Sequence, residues 1–310
     1  MRNCLSSLLS RPKRLHQPIP SPPKPIISPS HQTQSQSTTM PPLRIANLGS
    51  SFAAGPSIPP CVDEDAGRSG ANFACLIHQR IPGSSLTDLT VSGAILPNLT
   101  TEPQDRGGRI FPPQIQGLPE DSDLVFVLGG GNDIGYIGGL FEDTLSATWL
   151  GTFVMKVRGT GGAPVSTVDL DVDGLAARYA GVLDEIHAKA PKAQVLVVEY
   201  LTMLGSHVQP GKDVPFGEER VAHHKAVSAR LLEATTKAVE GRAEWCHVVS
   251  VGEPSEDHAI GAPDPWVSGF SWKLFYAGGA YHPRAEGMKA VADIIYKKLV
   301  ELKIVDEGEL

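Results

Sequence analysis

Ser51 lies in Leu48-Gly49-Ser50-Ser51-Phe52-Ala53-Ala54-Gly55, and His282 lies in Tyr281-His282-Pro283-Arg284. A serine hydroxyl is a weak nucleophile near neutral pH and needs a base to take its proton. An imidazole is the side chain best suited to that task. Acyl transfer also needs hydrogen-bond donors aimed at the developing oxyanion. Gly93, in Val91-Ser92-Gly93-Ala94, offers a backbone N–H that no Cβ obstructs. Asn132, in Gly129-Gly130-Gly131-Asn132-Asp133, offers a side-chain amide. Taken singly, each group has a plainer reading. Ser51 could cap an ordinary helix, Gly93 could mark a turn, Asn132-Asp133 could be a turn pair, and His282 could precede a helix by chance.

Taken in order along the chain, the four segments resemble the four blocks of the SGNH hydrolases, also called GDSL lipases or esterases. The matching positions are Ser51, Gly93, Asn132 and His282, and the resemblance spans about residues 43 to 303. It implies a serine esterase or lipase that cleaves carboxylic esters through an acyl-serine intermediate, without metal or cofactor. Ser51 would be the nucleophile and His282 the base. The N–H groups of Ser51 and Gly93 and the amide of Asn132 would form the oxyanion hole. Asp133 would brace its loop rather than touch substrate. The substrate would be a small-molecule ester or a lipid.

Two positions depart from the family pattern. The first block usually reads Gly-Asp-Ser, and here the middle residue is Ser50. The last usually reads Asp-x-x-His, and the residue three before His282 is Gly279. The group that orients His282 is then either a backbone carbonyl near Gly279, which gives a Ser–His dyad, or an acid from elsewhere, with Asp264 and Asp257 nearest. The same departures make a catalytically inactive binding protein on this fold the alternative.

The elements that must position these groups follow from hydrophobic pattern. Strand-like runs occur at Leu43–Leu48, Leu86–Val91, Leu124–Leu128, Val195–Tyr200 and Cys246–Val251. Helix-like stretches lie at Gly70–Arg80, Leu140–Val157, Leu175–Ala190, Glu218–Val239 and Arg284–Leu302. Their alternation predicts a single three-layer α/β/α domain over residues 41–310, with a mainly parallel five-stranded sheet. The resemblance implies a flavodoxin-like strand order, 2-1-3-4-5. Pro283 favours a first helical turn, which places His282 at a helix N-terminus. Residues 97–120 hold one possible short helix. Residues 252–281 read as an aromatic-rich loop, which either lines an acyl pocket or packs onto the domain.

Composition excludes several classes. The net formal charge is −7, and residues 1–40 hold five basic residues and no acid. The remaining 270 residues therefore carry 22 of the 27 basic residues and all 34 acidic ones, a net of −12. So acidic a body suits neither nucleic acid nor an anionic lipid surface. No G-x-x-x-x-G-K-[ST] occurs, and the glycine run at 129–131 is not a dinucleotide fingerprint. His223 and His224 are adjacent on a helix and do not share a face, which argues against a metal pair. No apolar run reaches the roughly 18 residues of a membrane span, so no stable membrane insertion is expected. The four cysteines form no C-x-x-C pair. Cys75 and Cys246 read as reduced core residues, and a Cys61–Cys75 disulfide is possible but not required. This usage points to an intracellular, cytoplasmic protein, with a mitochondrial location as the alternative. Residues 1–40, rich in Ser, Pro, Gln and Thr, read as a disordered tail. The alternatives are a targeting segment or a true start at Met40.

Overall fold

Every residue of Leu124–Leu128 is buried, as are all but the first of Arg44–Gly49. Strands apolar on both sides must be covered on both faces, which is the condition of a parallel sheet. A computed structural model describes residues 42–149, 151–153 and 171–306, within one compact unit, Pro41–Leu310. The expected tail at 1–40 and the end of the helix expected at 140–157 lie outside the described residues.

Five strands form the central sheet: β1 (Arg44–Gly49), β2 (Ser85–Asp88), β3 (Leu124–Leu128), β4 (Gln194–Val198) and β5 (Cys246–Val249). All four pairings are parallel, in the order β2-β1-β3-β4-β5. This is the flavodoxin-like order the resemblance implied. Helices among the described residues include α1 (Ser51–Ala54), α2 (Phe73–Arg80), α3 (Leu96–Thr100), α4 (Tyr136–Ser146), α5 (Val172–Lys189), α6 (Glu218–Val239), α7 (Trp272–Ala277) and α8 (Ala285–Glu301).

The chain moves one way across the sheet from β1 to β2 and the other way from β3 through β4 to β5. Crossovers keep one hand, so α2 and α5 fall on opposite faces. The packing agrees: α2 pairs with α8, and α5 pairs with α6. Both partners present stripes at helical spacing. On α6 the buried set includes Val221, His224, Val227, Leu231, Ala234 and Ala238; on α8 it includes Met288, Val291, Ala292, Ile295 and Leu299. The strand order reverses between β1 and β3, and a crevice opens beyond their carboxyl ends at such a point. Ser51 lies two residues beyond the end of β1, and Asn132 four residues beyond the end of β3.

Some boundaries differ from the sequence reading. Pro283 is not in a first helical turn. It lies before the N-cap of α8, Arg284. Ser268 N–H donates to the His282 carbonyl and Arg284 N–H to the Trp266 carbonyl, so residues 282–284 are held extended against 266–268. Helix α4 starts at Tyr136, not Leu140, because the buried Tyr136 ring anchors its first turn. Residues 97–120 contain α3, an antiparallel pair (Gln104–Arg106 with Arg109–Phe111) and a 3-10 turn at Gln114–Gly117. A second antiparallel pair joins Cys61–Asp63 to Arg68–Ser69. Cys61, Cys75 and Cys246 are free thiols. Burial pushes the Cys75 thiol up to about 11 and the Cys246 thiol up to about 12, which keeps both uncharged. No helix among the described residues is long and apolar enough to cross a membrane.

At the end of β1, Gly49 adopts φ +144° with its α-carbon against β3. A Cβ there would lie 2.1 Å from the Leu128 carbonyl oxygen, so β1 and β3 would have to separate. Gly49→Ala is expected to cost about 4 kcal/mol or more, at the upper end for single substitutions. Thermal melting should show a fall of about 10 °C or more in a domain of this size.

Candidate active site

Ser50 caps α1 in an extended conformation, and Ser51 is the first helical residue. The Ala53 and Ala54 amides bond the Ser50 carbonyl, and the Gly55 amide bonds the Ser51 carbonyl. The Ser51 N–H lies outside this pattern, as first-turn amides do. The turn is fixed from behind. Ser50 N–H donates to the Leu128 carbonyl, tying the turn to β3. Ser50 Oγ lies 3.0 Å from Tyr200 Oη, which also accepts from the Gly131 N–H at 3.2 Å. Where the family usually carries a carboxylate, this chain has two buried hydroxyls that satisfy each other. Burial pushes the Tyr200 phenol far above its usual range, so it stays neutral.

Gln114, 4% exposed, grips Gly49 through both ends of its amide. Its Oε1 accepts from the Gly49 N–H at 2.8 Å, and its Nε2 donates to the Gly49 carbonyl at 3.0 Å. The segment Ser92–Leu96 is held from three sides. Gln104 Nε2 donates to the Ser92 carbonyl at 2.9 Å, Asn132 Nδ2 to the Ala94 carbonyl at 2.8 Å, and the Leu96 N–H to Asp133 Oδ2 at 3.0 Å. Gly93 has φ +87°, and its N–H takes no part in these bonds. Asn132 thus spends one amide proton on the Gly93 loop and keeps the other. Asp133 is buried, bonds Arg178 at 3.1 Å, and braces the loop as expected. Burial raises its pKa, against the pull of the Leu96 N–H and Arg178.

His282 is 8% exposed and packs on Phe52, with ring centroids 5.5 Å apart. Phe52 is the neighbour of Ser51, so the chain's two ends of the candidate site meet here. No hydrogen bond joins Ser51 to His282; nucleophile–base bonds often tighten only around substrate. The imidazole Nδ1 lies 2.7 Å from the Ala280 carbonyl. A carbonyl can only accept, so Nδ1 carries the proton and Nε2 keeps a lone pair. The orienting carbonyl is therefore that of Ala280, not Gly279. A side chain reaches the carbonyl two residues back because Tyr281 takes the left-handed conformation, φ +54°. The Tyr281 ring packs against Phe141 and Phe270, and its hydroxyl bonds Thr144 of α4. The candidate acids face elsewhere. Asp264 pairs with His258 at 3.1 Å, and Asp257 with Ser206 and His207. Burial lowers the His282 pKa from 6.5 to about 4, and the Ala280 carbonyl offsets this only in part.

Among the described residues, no group of three or more His, Cys, Asp and Glu is placed to hold a metal ion. His224 is buried and bonds Asp143 at 2.6 Å. Sequence reasoning missed Gln104, Gln114 and Tyr200. Each acts on the main chain of a distant segment, and no local pattern marks such a residue.

The sequence matches the GDSL-like lipase/acylhydrolase family over residues 48–290. The chain belongs to that family. Ester hydrolysis in general is the activity this membership supports. Comparison with curated proteins gives no match. Among solved structures, the chain is similar to an extracellular lipase from Streptomyces rimosus, at 20% identity and TM-score 0.60, covering 82% of this chain and 99% of that one. It is also similar to phospholipase A1 from Streptomyces albidoflavus, at 18% identity and TM-score 0.63, covering 83% and 100%. At these identities the likeness establishes the shared fold.

Gln114→Leu should strand the Gly49 N–H, while the Gly49 carbonyl keeps its bond from the Val91 N–H. An orphaned buried donor costs about 1–3 kcal/mol. Thermal melts should register that loss.

Proposed function

We propose that this protein is a serine esterase working through a Ser51–His282 dyad on carboxylic esters or lipids. The observation that carries the reading is the His282–Ala280 bond. It leaves the Nε2 lone pair available on a buried ring that packs against Phe52, the residue next to Ser51. In the first half-reaction Ser51 Oγ attacks the ester carbonyl while Nε2 takes its proton. The tetrahedral oxyanion receives hydrogen bonds from the Ser51 N–H, the Gly93 N–H and the free Asn132 amide proton. The imidazolium returns the proton to the departing alkoxide, leaving an acyl-serine. A water then attacks, giving its proton to Nε2, and the acid leaves as Ser51 Oγ is reprotonated. A carbonyl fixes the tautomer but stabilises imidazolium less than a carboxylate would. The dyad therefore depends more heavily on the oxyanion donors.

Short p-nitrophenyl esters test the reading. Ser51→Ala and His282→Ala should each lower kcat by at least about 10³-fold, and Asn132→Ala by about 10²–10³-fold. A fluorophosphonate should label Ser51 in the wild-type chain and fail to label Ser51→Ala. A wild-type protein that binds esters but neither turns them over nor takes the label would be a binding protein instead.

The pH profile follows from burial. His282 must be neutral to act, and its pKa is lowered to about 4. Log kcat/KM should stay level from about pH 8 to about pH 5, then fall about tenfold per pH unit below about pH 4. An acid limb near 6.5 would mean a hydrated imidazole in the free enzyme. The same shift acts on stability. The unfolded chain takes up this proton below about 6.5 and the folded one does not until about 4. The His282 contribution to stability is thus full above about 6.5 and declines as the pH falls toward 4.

A further inference from the structure

We infer that Gln104 is a positioning residue that aims the Gly93 N–H, an inference that rests on the oxyanion role proposed for that group. The Ser92 carbonyl and the Gly93 N–H belong to one peptide unit. In a planar trans peptide they point in opposite directions, so a donor fixed on the oxygen fixes the line of the N–H. Gln104 Nε2 is that donor, at 2.9 Å. Among the described residues no other group bonds the Ser92 carbonyl.

The neighbouring units have their own restraints. Ser92 N–H donates to the Ala66 carbonyl and Ala94 N–H to the Val91 carbonyl. The unit between them adjoins a glycine at φ +87°, whose backbone is free to rotate without steric cost. An untethered unit at that place can flip and turn its N–H away. A bond on the carbonyl also polarises the unit and strengthens the N–H as a donor.

Gln104 is itself held firmly. It pairs with Phe111 across the small antiparallel ribbon, and Phe111 is buried against Ala66 and Val91. Arg106, two residues on, bonds the carbonyls of Glu64 and Asp65. The ribbon is thus stapled to residues 64–65, beside the Ala66 carbonyl that holds the Ser92 N–H. Gln104 Oε1 is buried with no partner among the described residues, so the side chain is not retained for its acceptor.

The test uses the full chain, a p-nitrophenyl ester and its thionoester, whose sulfur accepts hydrogen bonds weakly. Gln104→Leu keeps the bulk and removes the donor. It should lower kcat on the oxoester by about 10-fold, a fraction of the loss for deleting an oxyanion donor outright. KM should change by less than about twofold, and kcat on the thionoester by less than about threefold. An unchanged kcat, an equal fall on both substrates, or a change confined to KM overturns the inference. Gln104→Glu, ionised at pH 8 and unable to donate, should repeat the oxoester-to-thionoester ratio, which does not depend on the folded fraction. If neither variant melts cooperatively, the residue is structural and the inference fails. Asn132→Ala and Ser51→Ala separate the two levels of the argument. An Asn132→Ala that slows both substrates alike, or a Ser51→Ala that retains activity, overturns the oxyanion site and the role of Gln104 with it. Normal behaviour of those two beside an indifferent Gln104→Leu overturns Gln104 alone.

Discussion

A buried imidazole with no carboxylate beside it must remain neutral, and the candidate site is arranged round that constraint. Desolvation outweighs the Ala280 carbonyl by enough to lower the His282 pKa to about 4. That is a bias of about 3 kcal/mol against the imidazolium. The hydrogen bond from the ring to the Ala280 carbonyl cannot supply the missing charge, but it does decide which nitrogen is bare. The cost of this arrangement appears at Tyr281. A bulky residue in the left-handed region is uncommon, and here it is fixed by two aromatic contacts and a hydroxyl bond to α4.

The sheet brings the remaining groups to the same place. Reversal of strand order between β1 and β3 opens the crevice, and the residues after those two strands are Ser51 and Asn132. The short turns there have little regular structure of their own. They are stiffened by side chains from elsewhere: Tyr200 after β4, Gln114 and Gln104 from the segment between β2 and β3, and Arg178 from α5 through Asp133. Neutral amides and phenols do most of this bracing. Such groups bond main-chain N–H and C=O without the desolvation cost of an ion.

Much of this was legible in the sequence because it is local. Leu124–Leu128 and Glu218–Val239 match their sequence bounds, one a run buried on both faces and the other a long amphipathic helix. The four blocks likewise carry their own signatures, three after strands and one just before a helix. What was illegible is what the chain arranges at a distance. Pro283 reads as a helix start until the 266–268 segment pairs with it. The sequence leaves open a carbonyl near Gly279 or a distant acid as the group behind His282, and the left-handed Tyr281 sets the acceptor at Ala280. Gln114 acts across 65 residues and Gln104 across 12, and nothing near either residue announces its target.

The Ser50–Tyr200 pair has a consequence for the field around Ser51. Two hydroxyls can exchange donor and acceptor roles with no net ion, so this corner holds its shape regardless of acidity or salt. A carboxylate at residue 50 would place a fixed negative charge beside Ser51 and the oxyanion site proposed there. With serine there, no such charge opposes an anion at the proposed site.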